Sequence, residues 1–232
     1  MVSNRRPILC LVTDRRRLCA GCDDDTASRC LMAHVREAVA AGLDLVQIRE
    51  REMAAGALAD LVSAAVAIAR GSATKIIVND RLDIAVACGA DGVHLRSDSV
   101  PASAARRIVP AGFLIGRSVH DAAEAASAAA DTDYLIAGTV FPTASKPGSG
   151  DVDRLLGAAG LADLVRAVSR PVLAIGGVTL DRLPEVAASG AAGFAAIGLF
   201  LADDRQTPCR SGPFRAIVEA ARARFDSVKT AP

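Results

Sequence analysis

A loop rich in glycine, proline and hydroxyl side chains, Ala137-Gly-Thr-Val-Phe-Pro-Thr-Ala-Ser-Lys-Pro-Gly148, follows directly from the apolar run Tyr134-Leu-Ile-Ala137. On the end of a buried strand it would offer backbone N–H groups, the Thr143 and Ser145 hydroxyls and the Lys146 ammonium to a phosphorylated ligand. Similar polar clusters follow other short apolar runs. They comprise Gln47, Arg49 and Arg51; Asn79 and Asp80; Arg96, Ser97, Asp98 and Ser99; and Arg117, Ser118 and His120, with glycines at Gly176, Gly177 and Gly198. Basic side chains and hydroxyls around one or two carboxylates suit a phosphorylated substrate with a bridging divalent cation. That chemistry requires a fold that brings distant segments to one place.

The elements that would do this alternate along the chain. Strand candidates are 8–12, 43–48, 75–78, 92–95, 113–116, 133–137, 171–175 and 193–197, eight in all, and Ala-rich helical patterns lie between them. Several approaches to a strand repeat one phrase, a helix ending at glycine and turning straight into the strand: Ala-Ala-Gly42-Leu-Asp44, Cys-Gly89-Ala-Asp91 and Ala-Ser-Gly190-Ala-Ala192. Eight β–α repeats in one domain of 232 residues predict a single (β/α)8 TIM barrel with its active site at the C-terminal ends of the strands. A doubly wound open sheet is the rival, but it gives no reason for the count to be eight. Gly176-Gly177 and Gly198 then fall after the seventh and eighth strands, where such barrels often hold phosphate.

Composition agrees. Hydrophobic residues make up 51% of the chain with no Trp and one Tyr, so the core must be largely Ala, Val, Leu and Ile, as suits parallel strands under Ala-rich helices. A formal net charge of +1 argues against a broad nucleic-acid footprint. No apolar run has membrane-spanning length and the start does not read as a secretory signal, so a cytoplasmic enzyme is expected. Self-association stays open.

Each motif also has a purely structural reading. Gly176-Gly177 could be a tight turn, Asn79-Asp80 could cap the next helix, and Arg49-Glu-Arg51 could be a solvated charge cluster. The cysteines raise a separate expectation, since Cys19-Ala-Gly-Cys22, Cys30 and His34 would suit a Cys3His zinc site. Against it stand reduced surface thiols, with Cys10, Cys88 and Cys209 unrelated to the cluster. The polar stretch 20–28 reads as loose.

Seven motifs in order give a further indication: Val12-Thr-Asp14, Val46-Gln-Ile-Arg-Glu-Arg51, Val78-Asn-Asp80, Gly89-Ala-Asp-Gly-Val-His-Leu95, Gly116-Arg-Ser-Val-His120, Gly138-Thr-Val-Phe-Pro-Thr143 with Lys146, and Ala174-Ile-Gly-Gly177. From about Ile8 to Phe200 the chain resembles the thiamine phosphate synthase and thiazole tautomerase family of small (β/α)8 barrels. The resemblance implies a transferase that joins a pyrimidine pyrophosphate to a thiazole phosphate with Mg2+. It implies Gln47, Arg49 and Arg51 on the pyrimidine pyrophosphate, with Asn79 and Lys146 on its phosphates. Ser118 would lie beside the pyrimidine, and Thr143, Ser145, Gly177 and Gly198 would hold the thiazole phosphate. Arg49, Lys146 and Ser118 are then the catalytic candidates, and Asp80 and Asp98 the metal ligands.

The chain departs from the synthase pattern at three places. Arg51 stands where a lysine is usual, Ser99 stands in the place of the second metal aspartate with Asp98 one residue early, and Thr139 replaces a proline. The tautomerase branch, which carries a catalytic histidine where Thr139 stands, is one alternative. A barrel that binds a thiamine intermediate without turnover is the other.

Overall fold

The computed structural model describes residues 6–143, 155–202, 209 and 211–229. Eight parallel strands close a barrel in chain order: β1 (Ile8–Val12), β2 (Leu45–Ile48), β3 (Lys75–Asn79), β4 (Gly92–Leu95), β5 (Leu114–Val119), β6 (Tyr134–Ala137), β7 (Val172–Ile175) and β8 (Gly193–Ala196). Closure is direct, because Leu11 of β1 lies opposite both Val46 of β2 and Ala196 of β8. Helices α1 (Arg15–Leu18) and α2 (Asp24–Ala40) follow β1, and α3 (Ala55–Ala69), α4 (Leu82–Ala87), α5 (Ala102–Arg106), α6 (Ala122–Ala128), α7 (Gly157–Ala167), α8 (Leu183–Ala188) and α9 (Phe214–Lys229) follow the later strands.

Period-2 alternation sorts every strand into two cores. Ile8, Cys10, Val12, Leu45, Ile77, Tyr134, Ile136, Leu173 and Ala195 fill the barrel. Leu9, Leu11, Val46, Ile76, Val78, Val93 and Ile115 face the helices. The inward set ends in polar residues on the C-terminal side, with Gln47 two residues beyond Leu45 and Asn79 two beyond Ile77.

The repeated approach phrase has a physical purpose. Asp44 accepts the Leu9 backbone N–H at 2.9 Å, Asp91 that of Ile76 at 2.9 Å, and Asp133 that of Ile115 at 2.8 Å. Each aspartate before an even-numbered strand thus pairs a donor on the preceding strand that the ladder leaves unmatched. Before β8 the phrase has Ala192 instead, whose carbonyl accepts from Ile8.

Three expectations need correction. The stretch 20–28 is not loose: α2 begins at Asp24, and Asp23 caps it by accepting the Thr26 N–H at 2.7 Å. Strand β5 runs on past Gly116 to Val119, because a small residue there is required; a Cβ at Gly116 would lie 2.2 Å from the Tyr134 ring. The cysteine grouping also changes. Cys19 is joined to Cys22 and Cys30 to Cys209, while His34 turns to the Ser211 hydroxyl at 2.9 Å and packs edge-on against Phe214. Cys209 therefore belongs to the cluster and His34 does not, a pairing across 179 residues that local spacing cannot reveal.

Candidate functional site

A cavity of about 1240 Å³ opens at the C-terminal ends of the strands. Gln47, Arg49, Arg51, Asn79, Arg96, Ser118, His120, Thr143, Gly177 and Gly198 all line it. Residues 47 and 198, at opposite ends of the sequence, thus face one space. A smaller cavity of about 440 Å³ between the connections into β5, β6 and β7 holds none of these residues.

On the β2–β5 side, side chains form the wall. Gln47 is buried and donates through Nε2 to Asn79 Oδ1 at 3.1 Å, which leaves its Oε1 buried with no partner among the described residues. An acceptor at the cavity wall is placed to take a hydrogen bond from water or from a bound ligand. His94, two residues beyond Gly92 and equally inward, places Nε2 2.9 Å from the Ser118 hydroxyl. Burial, with Arg117 adding repulsion, pushes the His94 pKa down to about 3, so it is a neutral imidazole at ordinary pH. Its ring stacks on Tyr134 with centroids 5.7 Å apart. His94 was quoted in a sequence motif without a role; its parity with Gly92 and Asn79's place on the neighbouring strand are the signals that mark it as a mouth residue.

The Arg49-Glu50-Arg51 run is only partly solvated: Arg51 is exposed, Arg49 half-buried and Glu50 buried. Glu50 is buried, accepting from the Thr13 hydroxyl at 2.7 Å and from the Arg15 backbone N–H at 3.2 Å, and burial pushes its pKa up. Thr13 Oγ1 in turn accepts the Arg49 N–H at 2.9 Å. This chain of bonds ties β1 to the turn after β2, from which Arg49 and Arg51 both reach the cavity. Burial, then repulsion from Arg51, draws the Arg49 pKa down, though a guanidinium keeps its charge. Arg117, also among the candidates, instead binds the carbonyls of Ser97 and Val100 and braces the β4–α5 loop.

Asp80 does not cap α4, whose first turn has no side-chain cap. It holds a left-handed backbone at φ 64°, uncommon for a residue with a side chain, and its N–H donates to the His94 carbonyl at 2.9 Å. Its Oδ1 meets the Ser99 hydroxyl, and Arg96 stands 3.8 Å from its Oδ2. Asp98 is exposed and ion-paired to Arg96 at 2.5 Å. The structure thus brings Ser99, rather than Asp98, to Asp80. One carboxylate with one hydroxyl fits a small hard cation that takes few protein oxygens and completes its shell with substrate phosphate and water.

On the β6–β8 side glycine backbone contributes to the wall, together with side chains that include Thr139, Thr143, Ile175, Asp181 and Arg182. Val140 and Phe141 N–H groups donate to the carbonyls of Ile175 and Gly176 at 2.9 and 3.1 Å, laying the loop after β6 along the end of β7. A Cβ at Gly177 would sit 2.3 Å from the Pro142 carbonyl oxygen, and Gly177 has φ 60°. This glycine pair is therefore a close approach of two loops rather than only a turn. Arg182, which sequence reasoning missed, lies over the Phe141 ring at 4.7 Å and donates to the Gly177 carbonyl at 3.1 Å. Gly198 opens a 3-10 turn, Gly198–Phe200, and a Cβ there would be 3.4 Å from Arg17 Nη2, so Arg17 supplies a cation to this side. His120 lines the cavity but is exposed and bound to Glu124. Ser145 and Lys146 lie outside the described residues.

A family model described as thiamine monophosphate synthase matches residues 9–200. A thiamine-phosphate synthase from Methanoculleus marisnigri is 42% identical over 192 residues, 81% of this chain and 88% of the relative. One from Methanoregula boonei is 45% identical over 163 residues, 70% of this chain and 74% of its own. Among solved structures, a thiamine phosphate pyrophosphorylase from Pyrococcus furiosus superposes with a TM-score of 0.77 at 30% identity, covering 97% of this chain and 98% of that one.

Proposed function

Because the chain belongs to the thiamine monophosphate synthase family, we propose that it joins a pyrimidine pyrophosphate to a thiazole phosphate, giving thiamine phosphate and pyrophosphate. It is an enzyme of thiamine biosynthesis, a transferase of a substituted methyl group. The observation that carries this reading is the single cavity lined both by Gln47, Arg49, Arg51, Asn79 and Ser118 and by Thr143, Gly177 and Gly198. Two anionic substrates need two anchoring walls around one gap. Cytoplasmic residence goes with the biosynthetic role; among the described residues no helix is long and apolar enough to cross a membrane.

In the reaction the bond from the pyrimidine methylene carbon to pyrophosphate oxygen breaks with its electron pair going to pyrophosphate. The thiazole nitrogen lone pair then forms the new bond to that carbon. Arg49 and Arg51 offset the charge growing on the leaving oxygens, the term on which such a step depends most. Asn79 is held by Gln47 so that its amide N–H groups are left for phosphate, and the Gln47 Oε1 accepts from a donor on the pyrimidine. Ser118, fixed by neutral His94, lies beside that ring. Arg17 and the backbone at Gly177 and Gly198 receive the thiazole phosphate, with Thr143 next to them. Sequence resemblance alone assigns Lys146 to pyrophosphate and Ser145 to the thiazole phosphate. Asp80 and Ser99 would hold Mg2+, which when bound neutralises part of the leaving group's charge.

Incubating the purified chain with both substrates and Mg2+ tests the reading. Thiamine phosphate and pyrophosphate in equal amounts are expected. Isomerisation of a thiazole carboxylate phosphate with no condensation, or tight binding with no turnover, would replace it.

A further inference from the structure

Four of the six cysteines gather on the flank of the barrel, beside α1. Cys19 ends α1, Cys22 follows in the next turn, Cys30 lies on α2, and Cys209 comes from the segment after β8. The structure joins them as Cys19–Cys22 and Cys30–Cys209, and the sulfurs of Cys19, Cys30 and Cys209 all lie within 4.8 Å of one another. The two bonded pairs therefore abut.

Two staples have no reason to meet. A disulfide stabilises chiefly by closing a long loop in the unfolded chain, so the Cys19–Cys22 bond, three residues apart, restrains almost nothing. A Cys-x-x-Cys pair at a helix end is instead a chelating unit, with two donors on one turn. Zn–S bonds of about 2.3 Å in a tetrahedron set neighbouring sulfurs about 3.8 Å apart; the sulfurs of Cys19, Cys30 and Cys209 lie within the 4.8 Å from which such a site could close, and Cys22 would complete it by a rotation of its side chain once the Cys19–Cys22 bond is reduced. Cys19 and Cys30 are 2% and 7% exposed, Cys22 is half-buried and Cys209 is exposed, so the group lies at the surface with its inner two sulfurs covered. Cys10 and Cys88 stand outside the group, and Cys88 turns to the Ala59 carbonyl at 3.4 Å.

We propose that Cys19, Cys22, Cys30 and Cys209 form a tetrathiolate site for Zn2+, of which the paired disulfides are the oxidised, metal-free form. Reduction of both disulfides by a thiol or phosphine adds four electrons and four protons, and binding Zn2+ to the resulting thiols releases the protons. The ion would tie α1 and α2 to the segment after β8. Ser211 already makes a parallel tie there, placed 2.9 Å from His34 Nδ1 and donating to Glu37 at 2.6 Å. Arg17, on the wall assigned to the thiazole phosphate, lies on α1 two residues before Cys19, so the ion would brace that wall.

The full chain, expressed with zinc and purified with a phosphine reductant, is expected to hold about one zinc by mass spectrometry of the metal. Cys30→Ser and Cys209→Ser should lower that content by roughly tenfold or more, whereas Cys88→Ser should leave it unchanged. Cobalt replacing zinc in the wild-type chain should give thiolate charge-transfer and tetrahedral ligand-field absorption, a readout that does not depend on the variants folding. A reduced chain that binds neither metal, with peptide mapping of the air-oxidised chain returning only the two disulfides, would overturn the site.

Discussion

From β2 to β5 the mouth is lined by polar side chains at the strand ends, Gln47, Asn79, His94 and Ser118, whereas from β6 to β8 glycines at 138, 176, 177 and 198 are interspersed with side chains such as Thr139, Ile175 and Arg182. The first wall is held by side-chain bonds, Gln47 to Asn79 and His94 to Ser118. The second is held by two loops packed so closely at Gly177 that a Cβ there would lie 2.3 Å from the Pro142 oxygen. The difference matches the two ligands assigned to them. A leaving pyrophosphate gains charge during the reaction and needs fixed cations and donors, while a phosphate that stays intact needs only steady backbone and one or two cations.

Removing a cation from the first wall is expected to have the largest effect. Arg49→Ala should lower kcat/KM for the pyrimidine pyrophosphate by about 10²–10³-fold, with thermal stability almost unchanged. A comparable fall in stability would instead assign Arg49 to the fold. Ser118→Ala comes next: it takes the partner from His94 Nε2 while Nδ1 has none among the described residues, costing roughly 1–3 kcal/mol. Chemical denaturation against steady-state rates would show whether that cost falls on folding, on turnover or on both.

The buried imidazole also gives a pH signature. The unfolded chain protonates His94 near its ordinary value of 6.5, whereas the folded chain does so only near 3. Below pH 6.5 the unfolded state thus binds the extra proton, and stability should fall as pH drops from 6.5 toward 3. His34, pushed down to about 4 by burial, adds in the same direction. Urea midpoints for His94→Gln should slope less steeply over that range than those of the wild type; equal slopes would deny the neutral buried state. The smallest effect is expected from Ser99→Asp, which adds a carboxylate beside Asp80. It should lower the Mg2+ concentration for half-maximal rate by several-fold.

The barrel was legible because its signals are periodic. Strand runs, Ala-rich helices and the Gly-x-Asp approach recur, and the aspartates at 44, 91 and 133 turn out to bond the preceding strand. The side-chain wall was legible for a related reason: polar residues at the ends of strands have no place in a core. Gln47, Arg49, Asn79 and Ser118 all reach the cavity. The glycine wall was ambiguous, since Gly176-Gly177 reads equally as a turn until the neighbouring loop is seen against it. Arg17 and Arg182 were invisible, because each reaches the mouth from a helix or turn whose local pattern looks like a solvated face. Cys209 was lost to distance along the chain, and Asp98 was favoured over Ser99 because side-chain charge outweighed position.

The division of the mouth into two walls is most directly tested by comparing KM values for the two substrates in Gln47→Ala and Gly177→Ala. Gly177→Ala should also lower stability, by about 1–3 kcal/mol from its left-handed backbone and further from the close approach of the Pro142 carbonyl oxygen, so both variants are to be assayed well below their melting temperatures. Gln47→Ala should raise KM for the pyrimidine pyrophosphate and leave that for the thiazole phosphate within about twofold, while Gly177→Ala should do the reverse. If both variants raise the same KM, the two-wall account is wrong.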